Sequence, residues 1–314
     1  MKLQKIGVSD LRSSRLSYGC MRVAGTWDPA DIDQEKREKG KKAILTAYEA
    51  GYTLFDHADI YCRGACEEIH GEVLKEIPSI RKDIQIATKC GIRFPGDPNP
   101  DSPHRYDFSA THIEESCHKS LTRLGVDQID IYQLHRPDLL MDPAEVASAF
   151  TKLKAQGVVK YFGVSNFLPS FVSALQSQLD FPLVVNQVEI HLGRLDCFTD
   201  GTLDQCLEVT MTPLSWSPLG GGWLGTGGTV AADHPELEKR TALLDTLDAI
   251  AMGYGVSRTV MALAWLMKHP SHIIPIVGSC NPDHIKDAAK ADEIDVDRED
   301  WYRILVAARG KPLP

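Results

Sequence analysis

A chain of 314 residues, 43% hydrophobic and 25% charged, has ordinary globular composition and a length that one α/β barrel can use in full. A formal net charge of −9 without any polybasic run excludes nucleic acid and an anionic membrane surface as expected partners. No apolar window approaches the length of a membrane span, and the opening "MKLQKIGVSDLRSSRLSYGC" has no signal-type apolar core, so a cytoplasmic protein is expected.

The N-terminal segment is short and mixed, and "RLSYGCMR" reads as a first strand in which Gly19 permits close backbone approach. Ile44, Leu45 and Tyr48 then recur at helical spacing, and Gly51 stands where a helix C-cap belongs. "YTLFDHA" has the length of a buried strand; it ends in Asp56 and His57 and leads past Tyr61 into the helix "CEEIHGEVLKEI". Strand 84–89 delivers Lys89, and a polar loop at 92–108, rich in Pro, Gly and Asp, follows it as a lid or insertion at the entrance. Helix "ATHIEESCHKSLTRLG" comes next, with Thr111 as its N-cap and Gly125 as its stop, and strand "QIDIYQLH" delivers His135. Beyond it lie helix "DPAEVASAFTKLKAQG", strand "VKYFGVSN", helix "PSFVSALQSQL", strand "PLVVNQVEI", the short helix "LDQCLEVT" and strand "MTPLSWSP". The glycine-rich "LGGGWLGTGGTV", two helices at 236–253 and 257–268, strand "HIIPIVGS", helix "PDHIKDAAKA" and a terminal helix "REDWYRILVAARG" complete the chain.

Eight near-continuously apolar strands, each followed by a helical pattern, predict a parallel sheet covered by helices, closed as a (β/α)8 barrel. An open dinucleotide-binding sheet would need a G-x-G-x-x-G turn after its first strand, and "YGCMRVAGTW" lacks one. No linker or charge block interrupts the alternation, so residues 1–314 are expected to form a single domain. The eight cysteines (Cys20, Cys62, Cys66, Cys90, Cys117, Cys197, Cys206, Cys280) are expected as reduced thiols. Cys62 and Cys66 share a helical spacing, but no second Cys/His pair follows at zinc-finger spacing, so no metal is expected.

In a parallel barrel the C-terminal strand ends form the reactive face. Asp56, Lys89 and His135 end three consecutive strands, and Tyr61 lies just past the first. A free tyrosine titrates near pH ~10, so Tyr61 as a proton donor is expected to need a nearby ammonium, Lys89, held charged by Asp56. His135 can donate to a substrate oxygen. Together these groups suit protonation of an oxygen on which negative charge develops, as carbonyl reduction demands, and the hydride must come from a cofactor. Each residue alone has a plainer role: Tyr61 in packing, Asp56 and Lys89 as a structural ion pair, His135 as a satisfied core histidine.

"GYTLFDHADIY", "IATKCGI", "QLHRPD", "KYFGVSNF", "VNQVEIH" and "LSWSPLGGG" resemble, in this order, the signature segments of the aldo-keto reductases, in particular a bacterial oxidoreductase branch with "DHADIY" and "HRPD". The resemblance implies a (β/α)8 barrel that uses NADPH or NADH, with a catalytic tetrad of Asp56, Tyr61, Lys89 and His135. It also implies that Ser165, Asn166 and Gln187 bond the nicotinamide carboxamide and that Trp216 stacks on the ring. Ser217, Leu219 and Gly220 would open the loop across the pyrophosphate, and Gly278 and Ser279 would hold phosphate. Relatives often carry a basic residue after the eighth strand to grip the 2′-phosphate of NADPH. Here Cys280 and Asn281 stand there, with His284 close by, so weakened discrimination, with NADH also accepted, is expected. Trp27 and Arg136 are expected on the substrate side, facing a small carbonyl compound. Two other functions compete. One is a metal-dependent hydrolase using "DHAD" with His135 and His191; the other is a cofactor-sensing regulatory subunit of the same fold.

Overall fold

In a computed structural model covering residues 1–314, eight strands pair in chain order, all parallel. They are β1 (Ser17–Gly19), β2 (Leu54–Asp56), β3 (Gln85–Cys90), β4 (Ile129–Leu134), β5 (Val159–Ser165), β6 (Leu183–Glu189), β7 (Thr212–Trp216) and β8 (Ile274–Val277). β8 pairs with β1 and so closes the barrel. Strands such as β4 are buried along their whole length, because side chains on one face fill the barrel and those on the other meet the helices.

The helical layer is α1 (Gln34–Glu49), α2 (Ala65–Glu76), α3 (Ala110–Leu124), α4 (Pro143–Ala155), α5 (Pro169–Gln176), α6 (Thr202–Glu208), α7 (Leu237–Gly253), α8 (Arg258–Met267) and α9 (Pro282–Ala289). α7 and α8 both fall between β7 and β8, and a last helix, α10 (Arg298–Arg309), packs on α7. No single helix is long and apolar enough to cross a membrane. The eight cysteines are unpaired.

Three local features differ from the sequence reading. The N-terminal segment forms an antiparallel hairpin, Leu3–Lys5 with Arg12–Ser14. Its turn drives Ile6 and Leu11 into the bottom of the barrel beside Leu54, Ile131 and Val185. Gly7 makes this possible: its φ is +52°, and a Cβ there would stand 2.6 Å from the Val184 carbonyl oxygen. Second, Thr111 lies inside α3 and does not cap it. Ser109 Oγ accepts from His112 N instead, and Asp107 fixes that hydroxyl at 2.7 Å. Third, the loop at 92–108 has structure of its own. Ile92–Arg93 pairs with Arg105–Tyr106, and Arg93 bridges Asp107 at 2.6 Å and Asp97 at 3.2 Å.

Candidate active site

Strand register decides which side chains meet. Asp56 lies opposite Ala87 across β2 and β3, so Lys89, two residues on, points to the same face. Lys89 lies opposite Gln133 on β4, and His135 is again two residues on. The ladder continues past the strand ends, with His57 N donating to Ala87 O at 2.8 Å, Asp59 N to Lys89 O at 3.0 Å and His135 N to Cys90 O at 2.9 Å. These bonds fix the segment that carries Tyr61 against the Lys89 backbone.

Lys89 is fully buried. Its Nζ donates to Asp56 Oδ1 at 2.7 Å and to His57 O at 2.6 Å. Gln187 Nε2 donates to the same Asp56 oxygen at 2.7 Å. Burial lowers the Lys89 pKa, and Asp56 opposes that shift. Lys89 Nζ sits 5.1 Å from the Tyr61 ring centroid, and the Tyr61 and His135 rings meet edge to face at 5.9 Å. All four expected tetrad residues are thus in one place.

Their electrostatics differ from the sequence expectation in one respect. Burial, followed by the charge of Asp56, pushes the Tyr61 phenol well above its usual pKa, whereas depression by Lys89 was expected. The Lys89 ammonium is committed to Asp56 and His57 O, and burial of the phenolate costs more than a cation beside the ring returns. Tyr61 therefore holds its proton in the free protein, and its hydroxyl makes no hydrogen bond within the chain. Burial, with the charges of Lys89 and Arg136, lowers the His135 pKa well below its usual value, so the imidazole is neutral. Its Nδ1 is buried without a partner, and Nε2 is the nitrogen that solvent reaches.

Around the tetrad the backbone is strained. Six non-glycine residues have left-handed φ, and four of them are here: Cys62 (+46°) and Arg63 (+51°) behind Tyr61, Asn166 (+62°) after β5 and Ser217 (+50°) after β7. Such strain persists only where neighbouring contacts enforce it, and it clusters at working sites. At Asn166 those contacts are visible. Its Nδ2 donates to Ser165 Oγ at 2.8 Å and to His135 O at 3.1 Å, and its Oδ1 accepts from Trp216 Nε1 at 2.9 Å. Ser165 Oγ in turn donates to Gln187 O at 2.8 Å. β4, β5, β6 and β7 are so tied together by one polar chain at the mouth.

The remaining expected residues fall at the same end of the barrel, with different involvement. The Arg136 guanidinium, half-buried and in no ion pair, lies 5.2 Å from the Trp216 ring centroid. The glycine-rich loop from Leu219 and Gly220 is anchored, since Arg258 donates to Gly228 O at 2.9 Å and Thr226 N to Thr259 Oγ1 at 2.9 Å. After β8, Tyr18 OH donates to Ser279 O at 3.1 Å, and Ser279 Oγ stands 3.5 Å from His284 Nδ1. A Cβ at Gly278 would meet only Gly19 O, at 3.9 Å, so space lies open beside the end of β8, whereas at Gly19 a Cβ would strike the Ile276 side chain at 2.8 Å. Trp27 is 60% exposed, and no hydrogen bond or ring contact joins it to the tetrad.

The histidines of the hydrolase alternative are not brought together. His57 turns outward, and its Nε2 shares a 2.7 Å hydrogen bond with His70 Nδ1 on α2. His191 Nδ1 accepts from Gly193 N at 3.0 Å, and its Nε2 lies 3.5 Å from Glu189. Cys20, His57 and His70 do cluster, with ligand atoms within 4.8 Å of one another, but the hydrogen bond already engages one nitrogen of each ring. Asp59 was not singled out from the sequence; it is half-buried, with its Oδ1 fully enclosed and without a partner, and its pKa is raised to about 8 by burial and by Glu67. Its place in "DHADIY" was visible, but its burial was not.

Residues 15–307 match the Aldo/keto reductase family. The chain is 39% identical to a 6-dehydroglucose reductase of Novosphingobium aromaticivorans over 99% of its own length and 97% of that protein's. It is equally 39% identical to one from Agrobacterium fabrum over 99% and 100%. Its fold superposes on a glycerol dehydrogenase from Gluconobacter oxydans with a TM-score of 0.84 at 25% identity, covering 99% of this chain and 97% of the other. With residues 15–307 matched and nearly whole-length relatives at 39% identity, the chain belongs to the aldo/keto reductase family of oxidoreductases.

Proposed function

We propose that this protein reduces an aldehyde or ketone to an alcohol at the C-terminal mouth of the barrel, with Tyr61 giving the proton. The carrying observation is the Tyr61 hydroxyl, protonated and without a partner in the chain, between a neutral His135 and the buried Lys89–Asp56 pair. A nicotinamide cofactor would supply the hydride.

The residues present suit such a cofactor. Gln187 uses its amide nitrogen on Asp56 and keeps Oε1 free to accept from a carboxamide. The open space beside Gly278 and the anchored loop at 219–228 leave backbone free to approach phosphates. Ser165, Asn166 and Trp216 would hold the nicotinamide end, and Ser217, Leu219, Gly220, Gly278, Ser279, Cys280 and His284 the phosphate end. His135 Nε2–H would orient the carbonyl oxygen towards Tyr61. As that oxygen gains negative charge, Tyr61 would protonate it, and Lys89 would stabilise the phenolate left behind. Asp56 and Gln187 would position Lys89 throughout.

Arg136 has free donors above Trp216 for a substrate carrying hydroxyl or anionic groups. The relatives named 6-dehydroglucose reductase make an oxidised hexose the first compound to assay. The compartment we assign is the cytoplasm, in keeping with unpaired thiols throughout.

Tyr61→Phe tests the assignment. The expected result is unchanged cofactor affinity with turnover reduced by roughly 10²–10⁴-fold, the range for losing a positioned acid. Wild-type turnover in the variant would remove Tyr61 from this role. Cofactor binding without turnover of any aldehyde by the intact protein would favour the regulatory alternative.

A further inference from the structure

The segment after β8 carries no basic residue at positions 278–283, and the start of α9 cannot make up for it. Pro282 has no N–H, Asp283 N already donates to Asn281 Oδ1 at 2.9 Å, and the Asp283 carboxylate opposes an anion there. Two other elements close on the same segment. The loop following β1 reaches it directly, since Cys280 Sγ donates to Arg22 O at 3.3 Å. α1 packs against α9, and at Gly40 it lies so near that loop that a Cβ would stand 2.1 Å from Val23 O. Residue 22 therefore borders Cys280 directly, and α1, which carries Lys39, packs on both that loop and α9.

Both are cations. Arg22 and Lys39 are exposed, and neither takes part in an ion pair, although Lys36, Arg37 and Lys41 on the same helix all do. Burial raises the Cys280 pKa, while the charges of Arg22 and Lys39 pull it down, so both reach that thiol electrostatically. Two unpaired positive groups beside the phosphate end of the proposed cofactor track suit a phosphate monoester, whose charge at neutral pH is about −1.5 to −2.

We propose that Arg22 and Lys39 grip the 2′-phosphate of NADPH, so that the loop following β1 and helix α1 supply the discrimination that the segment after β8 lacks. The inference rests on the reading that a nicotinamide dinucleotide lies across the ends of β7 and β8. Arg22 would offer a planar fork to the phosphate oxygens and Lys39 a point charge. NADH has a hydroxyl at that position and would leave both cations solvated.

The experiment is a fluorescence titration of the whole protein with NADPH, NADH and 2′,5′-ADP, repeated for Arg22→Met and Lys39→Met. The expected wild-type result is tighter binding of NADPH than of NADH, with 2′,5′-ADP competing against NADPH. Each variant should lose roughly tenfold or more in affinity for NADPH and 2′,5′-ADP, with NADH affinity unchanged, since one charge-assisted contact is removed. Rising salt should narrow the NADPH preference in wild type and leave NADH affinity nearly constant. Equal wild-type affinity for the two cofactors would overturn the proposal, as would variants that weaken both together or neither. Failure to bind either nucleotide would overturn the cofactor reading beneath it, and so the two failures are distinguishable.

Discussion

Lys89 and Asp56 are buried together near the top of the barrel, where neither charge is tolerated alone. Lys89→Met would leave Asp56 with only the Gln187 amide, so we expect a loss of about 3–5 kcal/mol in stability, read from urea unfolding, besides the loss of activity. Tyr61→Phe should lose activity with no change in unfolding midpoint, because the Tyr61 hydroxyl bonds nothing in the chain. Asp59 makes a separate pH prediction. Its folded pKa is raised to about 8 from 3.8, so between those values the unfolded chain is ionised there while the folded one stays protonated. The unfolded state then binds fewer protons, and this group's contribution to stability falls as pH rises through that window and levels off above it. Asp59→Asn should remove that slope, so its stability relative to wild type should grow from pH 4 to pH 8. Parallel stability curves for the two proteins across that range would contradict the protonated state of Asp59.

At the scale of elements, the barrel strands were legible because each is a short apolar run bounded by turn residues and followed by a helical period. Residues such as Asp56, Lys89 and His135 stood out because they are polar residues ending apolar strands. The N-terminal hairpin was not legible: its strands have three residues each, too few to show alternation, and they gain their partners from the barrel floor. The Ser109 cap was masked by Thr111, an equally good capping type, and only the position of Asp107 decides between them. Arg22 and Lys39 lie far from positions 278–284 in the chain, so no local pattern could pair them. Two substitutions probe these elements. Ile6→Ala should cost about 2–5 kcal/mol by opening a cavity beneath the barrel. Gly40→Ala should force α1 away from Val23 O and weaken NADPH binding more than it weakens stability, as judged by titration beside urea unfolding.

For the whole molecule, eight parallel strands in chain order bring Asp56, Lys89 and His135 to one mouth by register alone, and the segments that follow them carry Tyr61, Asn166 and Ser217 to the same face. The polar chain from Ser165 through Asn166 to Trp216 ties the far side of that mouth together, and under the proposed function Arg136 and the segment 92–108 would shape the entrance. Arrival of hydride at a substrate carbon is the defining event of the proposed reaction. The most direct measurement is therefore transfer of isotope, with NADPH deuterated at the nicotinamide C4 incubated with an aldehyde and the protein, and the alcohol analysed by mass spectrometry and NMR. One deuterium bonded to the carbinol carbon, placed stereospecifically, with transfer abolished in Tyr61→Phe, is the expected result. Alcohol formed without label from the cofactor, or full transfer in the Tyr61→Phe protein, would contradict the assignment of this mouth to carbonyl reduction through Tyr61.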